Sequence, residues 1–386
     1  MKKLIRFICF LLVTSTVLCG LNLFLSTNND RDGIHIKGYF KEPKNTIDVL
    51  LIGASELYTG FNSPLAWEKY GFTSYSLSYA SMPGSMYKPV LNKALKTQSP
   101  KLVAVEVNGF MFNDKYCTQR RPIHAWFDSV GIDSDGKSFI EENIPKENRA
   151  EFYLPFYKYH SNWRHPVVCA RNFVNLAYLE KEGISYSKTF ANTALKREKA
   201  ELTKRKSCFT EKSKEYMTDL LKTCREKGLK NVLFFRAPHC VKNQNPQAIK
   251  DMEKLICEYG YRFIDYENAY EEIGLDVKND FYNIEHLNIF GMEKFTLFFG
   301  KYICENYDVK SEHSEKTVKQ WNKCADVMSR TVEECKNDKE CNIFYELTAY
   351  EVADGRPHSA LSKVENGRSV KQRMKKQQEE MHRKNQ

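Results

Sequence analysis

The sequence lacks the features that would classify it quickly. Its 386 residues hold no block of single-sign charge, although 59 basic against 49 acidic side chains leave a formal charge of +10. Nucleic-acid arms are built from such blocks, so no nucleic-acid partner is expected; the mild excess suits attraction to an anionic leaflet or cell-wall polymer. The twelve cysteines are scattered and never take a C-x-x-C spacing, so neither a metal site nor another cofactor is expected. Pairing among Cys324, Cys335 and Cys341 stays open for an oxidising compartment. No repeat at solenoid or propeller period is visible. What is present, 42% apolar and 13% aromatic residues, suffices for a substantial core and excludes a wholly disordered chain.

Long apolar runs are also scarce, and one stands out. After Lys2, Lys3 and Arg6, the stretch Phe7 to Leu25, "FICFLLVTSTVLCGLNLFL", is long enough as a helix to cross about 30 Å of hydrocarbon. Residues 7–25 are expected to be a single-pass anchor in the cell membrane, with residues 1–6 a basic cytoplasmic end. By the positive-inside rule, the rest of the chain lies outside the cytoplasm. A cleaved signal peptide shares the charged start and apolar middle, but no Ala-x-Ala site follows Leu25 and Leu18 before Cys19 fits a lipoprotein site poorly. Residues 26–45, opening with "STNNDRDG", read as a polar linker.

From there strand and helix signals alternate. "IDVLLIG", "TSYSLSYA" and "PKLVAVEV" are strands, separated by the helical stretches "SPLAWEKYG" and "MYKPVLNKALKTQ". The rhythm is lost over about 113–207, an aromatic, charged insertion, and resumes with "EKSKEYMTDLLKTCREKG", "NVLFFRAP", "QAIKDMEKLICEYG", "YRFIDY" and a last helix, "MEKFTLFFGKYICENY". Continuous apolar strands alternating with helices predict an α/β domain over 46–307, a three-layer parallel sheet with helices on both faces. The charged stretch 308–386 reads as helical or disordered and outside the core fold.

Two residues invite chemistry. Ser55 follows the first strand, at the carboxyl edge where open α/β sheets place ligands. His286 precedes the last helix, with Asp280, Asn283 and Glu285 close by in sequence. Acyl transfer through an activated hydroxyl needs a base beside it and a third group to hold that base. Each residue has an ordinary alternative: a serine after a strand is commonly a turn or cap residue, and a histidine before a helix a capping or packing one.

The string "DVLLIGASELYTGFNSP" resembles the first block of the SGNH/GDSL hydrolase superfamily, in the membrane-anchored branch that includes the teichoic-acid D-alanylation proteins of cell-surface polymer acylation. "YNIEHLNIFGMEKF" is similar to that superfamily's last block and "LFFRAPH" to its penultimate strand. The resemblance covers roughly 46–307 outside the aromatic insertion and fits the single anchor. It implies an SGNH/flavodoxin-like fold with Ser55 as nucleophile, His286 as base, and oxyanion donors from Gly84, Asn108 and the Ser55 N–H. Where the family has Asp, three residues before His, this chain has Asn283, which can orient an imidazole but not stabilise its cation; Asp280 would substitute if its loop brings it round. The expected function is an extracytoplasmic serine esterase or O-acyltransferase working through an acyl-serine on a polysaccharide or teichoic-acid-like polymer, with Tyr153, Tyr157, Tyr159, Trp163 and Trp126 stacking on sugars or packing a cap. The alternative is a catalytically weakened binding or assembly protein that partners a membrane acyltransferase.

Overall fold

Near-continuous runs of branched and aromatic residues form strands when both faces of a sheet are covered, and three such runs, "VLLIG", "LVAVE" and "VLFFR", do so here. The computed structural model describes residues 2–26, 31–117, 119–164, 166, 167, 169, 170, 188, 196, 197 and 200–337. Strands β1 (Val49–Gly53), β2 (Ser74–Ser78), β3 (Leu102–Glu106), β5 (Val232–Arg236) and β7 (Arg262–Asp265) make one all-parallel sheet in the order β2-β1-β3-β5-β7. Two short strands, β4 (Thr203–Arg205) and β6 (Val241–Asn243), pair parallel in a separate ribbon. Alternate residues of the central strands enter two separate hydrophobic clusters: Leu50, Ile52, Val103, Val105 and Phe234 in one, Val49, Leu51, Ala104, Leu233 and Phe235 in the other.

The chain reverses its direction of travel between β1 and β3, so the loops leaving these neighbours part and open a crevice at their carboxyl ends. Position 53, the last of β1, requires glycine because a Cβ there would stand 2.8 Å from the Glu106 Cβ on β3. The chain then enters α3 (Ser55–Gly60) and α4 (Ser63–Tyr70); Asn62 caps α4 by accepting from Leu65 N, and Gly71 ends it in the left-handed region at φ 74°. After β2 comes α5 (Tyr87–Ala94).

Near the start of the chain, α1 (Lys2–Ser26) holds a stretch, Lys2–Leu25, that is long and apolar enough to cross a membrane, with mean hydropathy 2.2; no other helix among the described residues is.

Two expectations are corrected. Residues 26–45 are not simply a linker: α2 (Arg31–Lys41) buries Ile36 and Tyr39 completely, and the Tyr39 ring meets Tyr75 of β2 at 5.2 Å. Residues 308–337 are not outside the core: the helix Glu315–Asn337 buries Trp321, Cys324, Ala325 and Met328, and His313 Nε2 lies 2.9 Å from Asp48 Oδ2. The insertion shares the main core through Trp126 and Ile123 of the helix Arg120–Val130. Residues 338–386 lie outside the described residues. Cys341 is among them, while Cys324 and Cys335 sit eleven residues apart on one helix, about 16 Å along its axis, too far to pair.

Candidate active site

The switch between β1 and β3 puts Ser55 and Asn108 on neighbouring loops. Ser55 is the first residue of α3; Ala54 holds the N-cap position and no side chain caps the helix. The serine is thus no capping residue. Its N–H has no intrahelical acceptor. Among the described residues its hydroxyl donates one hydrogen bond, to Glu56 Oε2 at 3.3 Å, and none to His286.

His286 is placed by a tight loop. Asn288 donates its N–H to Asp280 O at 2.9 Å, and its Oδ1 caps the helix Ile289–Asn306 through Phe290 N and Gly291 N. Gly291 is required there, because any Cβ would collide with the Asp280 carbonyl oxygen. Phe281 bridges to Leu287, and the His286 ring stacks on Tyr282 at 5.3 Å and 13°. Asn283 Oδ1 receives three contacts: the N–H groups of Glu285 at 2.8 Å and His286 at 2.9 Å, and His286 Nδ1 at 3.0 Å. An amide oxygen only accepts, so Nδ1 carries a proton.

Asp280 does not come round to the histidine. Its carboxylate is 2.7 Å from Lys294 Nζ and accepts from Asp276 N at 2.6 Å, which commits it to the loop. Asn283 is therefore the residue that orients His286.

The oxyanion candidates lie together. Gly84 starts a short 3-10 turn after β2, and a Cβ there would come 2.8 Å from the Phe110 ring; Gly109 allows no Cβ beside Met82 O at 2.6 Å. The loops after β2 and β3 thus touch glycine to backbone. Asn108 is buried, donates its N–H to Glu106 Oε1 at 3.1 Å, and places Nδ2 2.9 Å from His239 Nε2.

Four residues that sequence reasoning missed complete the site: Glu56, Glu106, His239 and Glu267, each nearly or wholly buried. His239 Nε2 is 3.8 Å from Glu56 Oε1 and its Nδ1 3.7 Å from Glu267 Oε1, so one imidazole bridges two carboxylates. Glu267 also pairs with Arg236 and lies 3.3 Å from Arg205 of β4, whose other nitrogen reaches Glu285 at 3.1 Å. The signal was available: His239 leaves β5 as Ser55 leaves β1, both at the carboxyl edge.

Charge is partitioned sharply. Burial alone would push the Glu56 carboxyl up, but the His239 side chain and the charges of His286 and His239 outweigh it and hold Glu56 below the ordinary carboxylate range. Glu267 faces the same burial and is brought down to about 2 by His239 and Arg236. Glu106 goes the other way: burial and the neighbouring Glu56 charge raise it well above its usual value of 4.5 and keep its proton on. Glu56 is thus an anion touching the Ser55 hydroxyl and feeling the His286 charge. The attraction is mutual, so Glu56 offers an imidazolium the negative charge that Asn283 lacks.

Glu106 carries a pH signature. A carboxyl whose folded value is raised favours the fold below its unfolded value of 4.5, and that contribution is lost as pH rises through the folded value. Glu106→Gln keeps an acceptor for Asn108 N and cannot ionise. Melting curves of the two proteins from pH 5 to 8 are expected to diverge, the variant becoming relatively more stable toward pH 8. Parallel curves would refute a neutral Glu106.

Trp126, expected among sugar-stacking rings, is buried in the core, and Tyr159 pairs with Asp128; Tyr153, Tyr157 and Trp163 are exposed. Among the described residues no group of His, Cys, Asp and Glu could hold a metal. The sequence matches no family model and no curated protein.

Proposed function

We propose that the chain is a membrane-anchored, extracytoplasmic serine esterase or O-acyltransferase of SGNH type, with the three-layer arrangement of that fold, acting on a cell-surface polysaccharide or teichoic-acid-like polymer. The observation that carries this reading is the buried Glu56 carboxylate, which accepts from Ser55 Oγ and interacts with the charge of His286, from the opposite end of the domain. A buried anion shared by a serine hydroxyl and a histidine charge, at the switch point of a parallel sheet, suits a nucleophile and its base better than a turn.

In this reading Ser55 Oγ swings from Glu56 to His286 Nε2 and attacks the carbonyl carbon of an acyl donor. The hydroxyl proton passes to Nε2, while Nδ1–H stays on Asn283 Oδ1 and Glu56 stabilises the imidazolium. The tetrahedral oxyanion is met by the N–H groups of Ser55 and Gly84 and by Asn108 Nδ2, each such donor worth about 100 to 1,000-fold in rate. Rotating the Asn108 amide toward the crevice leaves His239 to Glu56 and Glu267. Collapse breaks the bond to the leaving oxygen, which takes the proton from Nε2–H. A polymer hydroxyl or water, deprotonated at Nε2, then attacks the acyl-serine, the acyl–Oγ bond breaks, and Nε2–H returns its proton to the departing Ser55 Oγ.

The bond from Ser55 to Glu56 and the amide at position 283 support a second reading, a fold that has kept its shape as a binding or assembly partner of a membrane acyltransferase. A fluorophosphonate probe and a generic acyl ester, applied to the purified full chain and to Ser55→Ala, separate the two. Probe mass on Ser55 and ester turnover absent from the variant are expected. No labelling, with turnover no higher than the variant's, would overturn the enzyme and leave the partner.

A further inference from the structure

A cluster of exposed apolar side chains lies where α1 ends. The last turn of α1 is fastened to the insertion: Asn162 Nδ2 donates to Leu25 O at 2.9 Å, supplying a partner to a terminal helix carbonyl that would otherwise lack one, and Cys169 Sγ lies 3.5 Å from Asn162 O. Leu25 is buried in this contact, whereas Leu12, Val17, Leu18, Leu21 and Leu23 are each about half exposed or more. The short helix Pro155–Tyr159 packs against α1, followed by the turn His160–Arg164. On these two elements and just beside them, Leu154 is 60%, Tyr157 67%, Trp163 64% and Val167 76% exposed, with Tyr153 at 43%. One basic group sits free of the core among them, Arg164 over the Trp163 ring at 5.7 Å, while the Lys158 ammonium is held by Asp128 at 2.9 Å.

Solvent does not explain five large apolar side chains on so short a segment, nor does packing, since each is turned outward. Their height does. If α1 crosses the bilayer, whatever grips its final turn stands at the level where hydrocarbon gives way to headgroups. Trp and Tyr favour that level because one end of the ring is apolar and the other polar, and Lys and Arg there reach headgroup phosphates.

We infer that residues 153–164 together with Val167 form a second membrane contact, seated in the interface of the leaflet at which α1 ends, with Tyr157 and Trp163 as its aromatic anchors. Its occupant is the phospholipid surface. Sugar stacking is thereby moved away from these rings. The inference rests on the anchor assigned under the proposed function and not on its chemistry.

The test uses the full chain reconstituted into phosphatidylcholine and phosphatidylglycerol vesicles with plain or brominated acyl chains. Subtracting the fluorescence of Trp163→Phe isolates Trp163, and this difference signal is expected to lose about half or more of its intensity in the brominated vesicles, as an interfacial indole should. An alkaline carbonate wash is run alongside. A chain that resists the wash while its difference signal is equal in both lipids overturns the second contact and leaves the anchor. A chain that washes off overturns both.

Discussion

Glu56→Gln is expected to cut kcat/KM for an acyl ester by about tenfold to a hundredfold, the rate equivalent of losing one charge-assisted interaction of about 1.5–3 kcal/mol. The side chain keeps its size and its acceptor for Ser55 Oγ, so what disappears is the negative charge that interacts with His286. Asn283→Asp, which offers the same acceptor to Nδ1 but with a charge, is expected to restore most of the loss when combined with Glu56→Gln. The effect should fall on the acid limb of the pH profile, where protonation of the base is read. His286→Ala gives the floor against which both are judged. Unchanged turnover in Glu56→Gln would remove Glu56 from the mechanism, and a loss that Asn283→Asp fails to rescue would reduce it to a structural acid.

Glu42→Ala is expected to destabilise the protein by about 3–5 kcal/mol, the usual penalty when one member of a buried ion pair is deleted and the other stays buried. Glu42 and Lys188 are in contact, with side chains 2% and 1% exposed, and Lys188 Nζ lies 4.8 Å from the centre of the Trp321 ring. The Lys188 carbonyl also accepts from Ser76 N of β2 at 3.3 Å. The pair therefore joins the residue after α2, a point in the insertion and the helix Glu315–Asn337. Thermal melts should fall by roughly 6–15 °C. The double change Glu42→Leu with Lys188→Met, which removes both charges and keeps the volume, is expected to recover most of that loss. A single variant that melts within about 1 °C of the parent would show that the pair contributes little.

Two of these three segments are where sequence reading fell short. The three central strands were legible because a parallel sheet covered on both faces leaves near-continuous apolar runs, as in "VLLIG" and "VLFFR". The terminal helix was hidden by its charge, although Trp321, Cys324, Ala325 and Met328 recur at the spacing of one helix face. In α2 the glycines Gly33 and Gly38 masked Ile36 and Tyr39. At the site, Ser55 and His286 were visible because strand ends and helix starts are local signals. Glu56 was not: an acid in the first turn of a helix is an ordinary dipole partner, and only the fold brings His239 and His286 to it. Asp280 misled for the converse reason, since proximity in sequence said nothing of Lys294, one helix further on.

With α2 in the core and Asn162 on the last turn of α1, only residues 27–30 separate α1 from the folded body, at most about 14 Å of chain. Such a body has no leash. On the reading proposed above, its working radius would be its own girth, so the acceptors within its reach would be those rooted in the same patch of envelope, and strands that drift further out would have to be carried to it by their own flexibility.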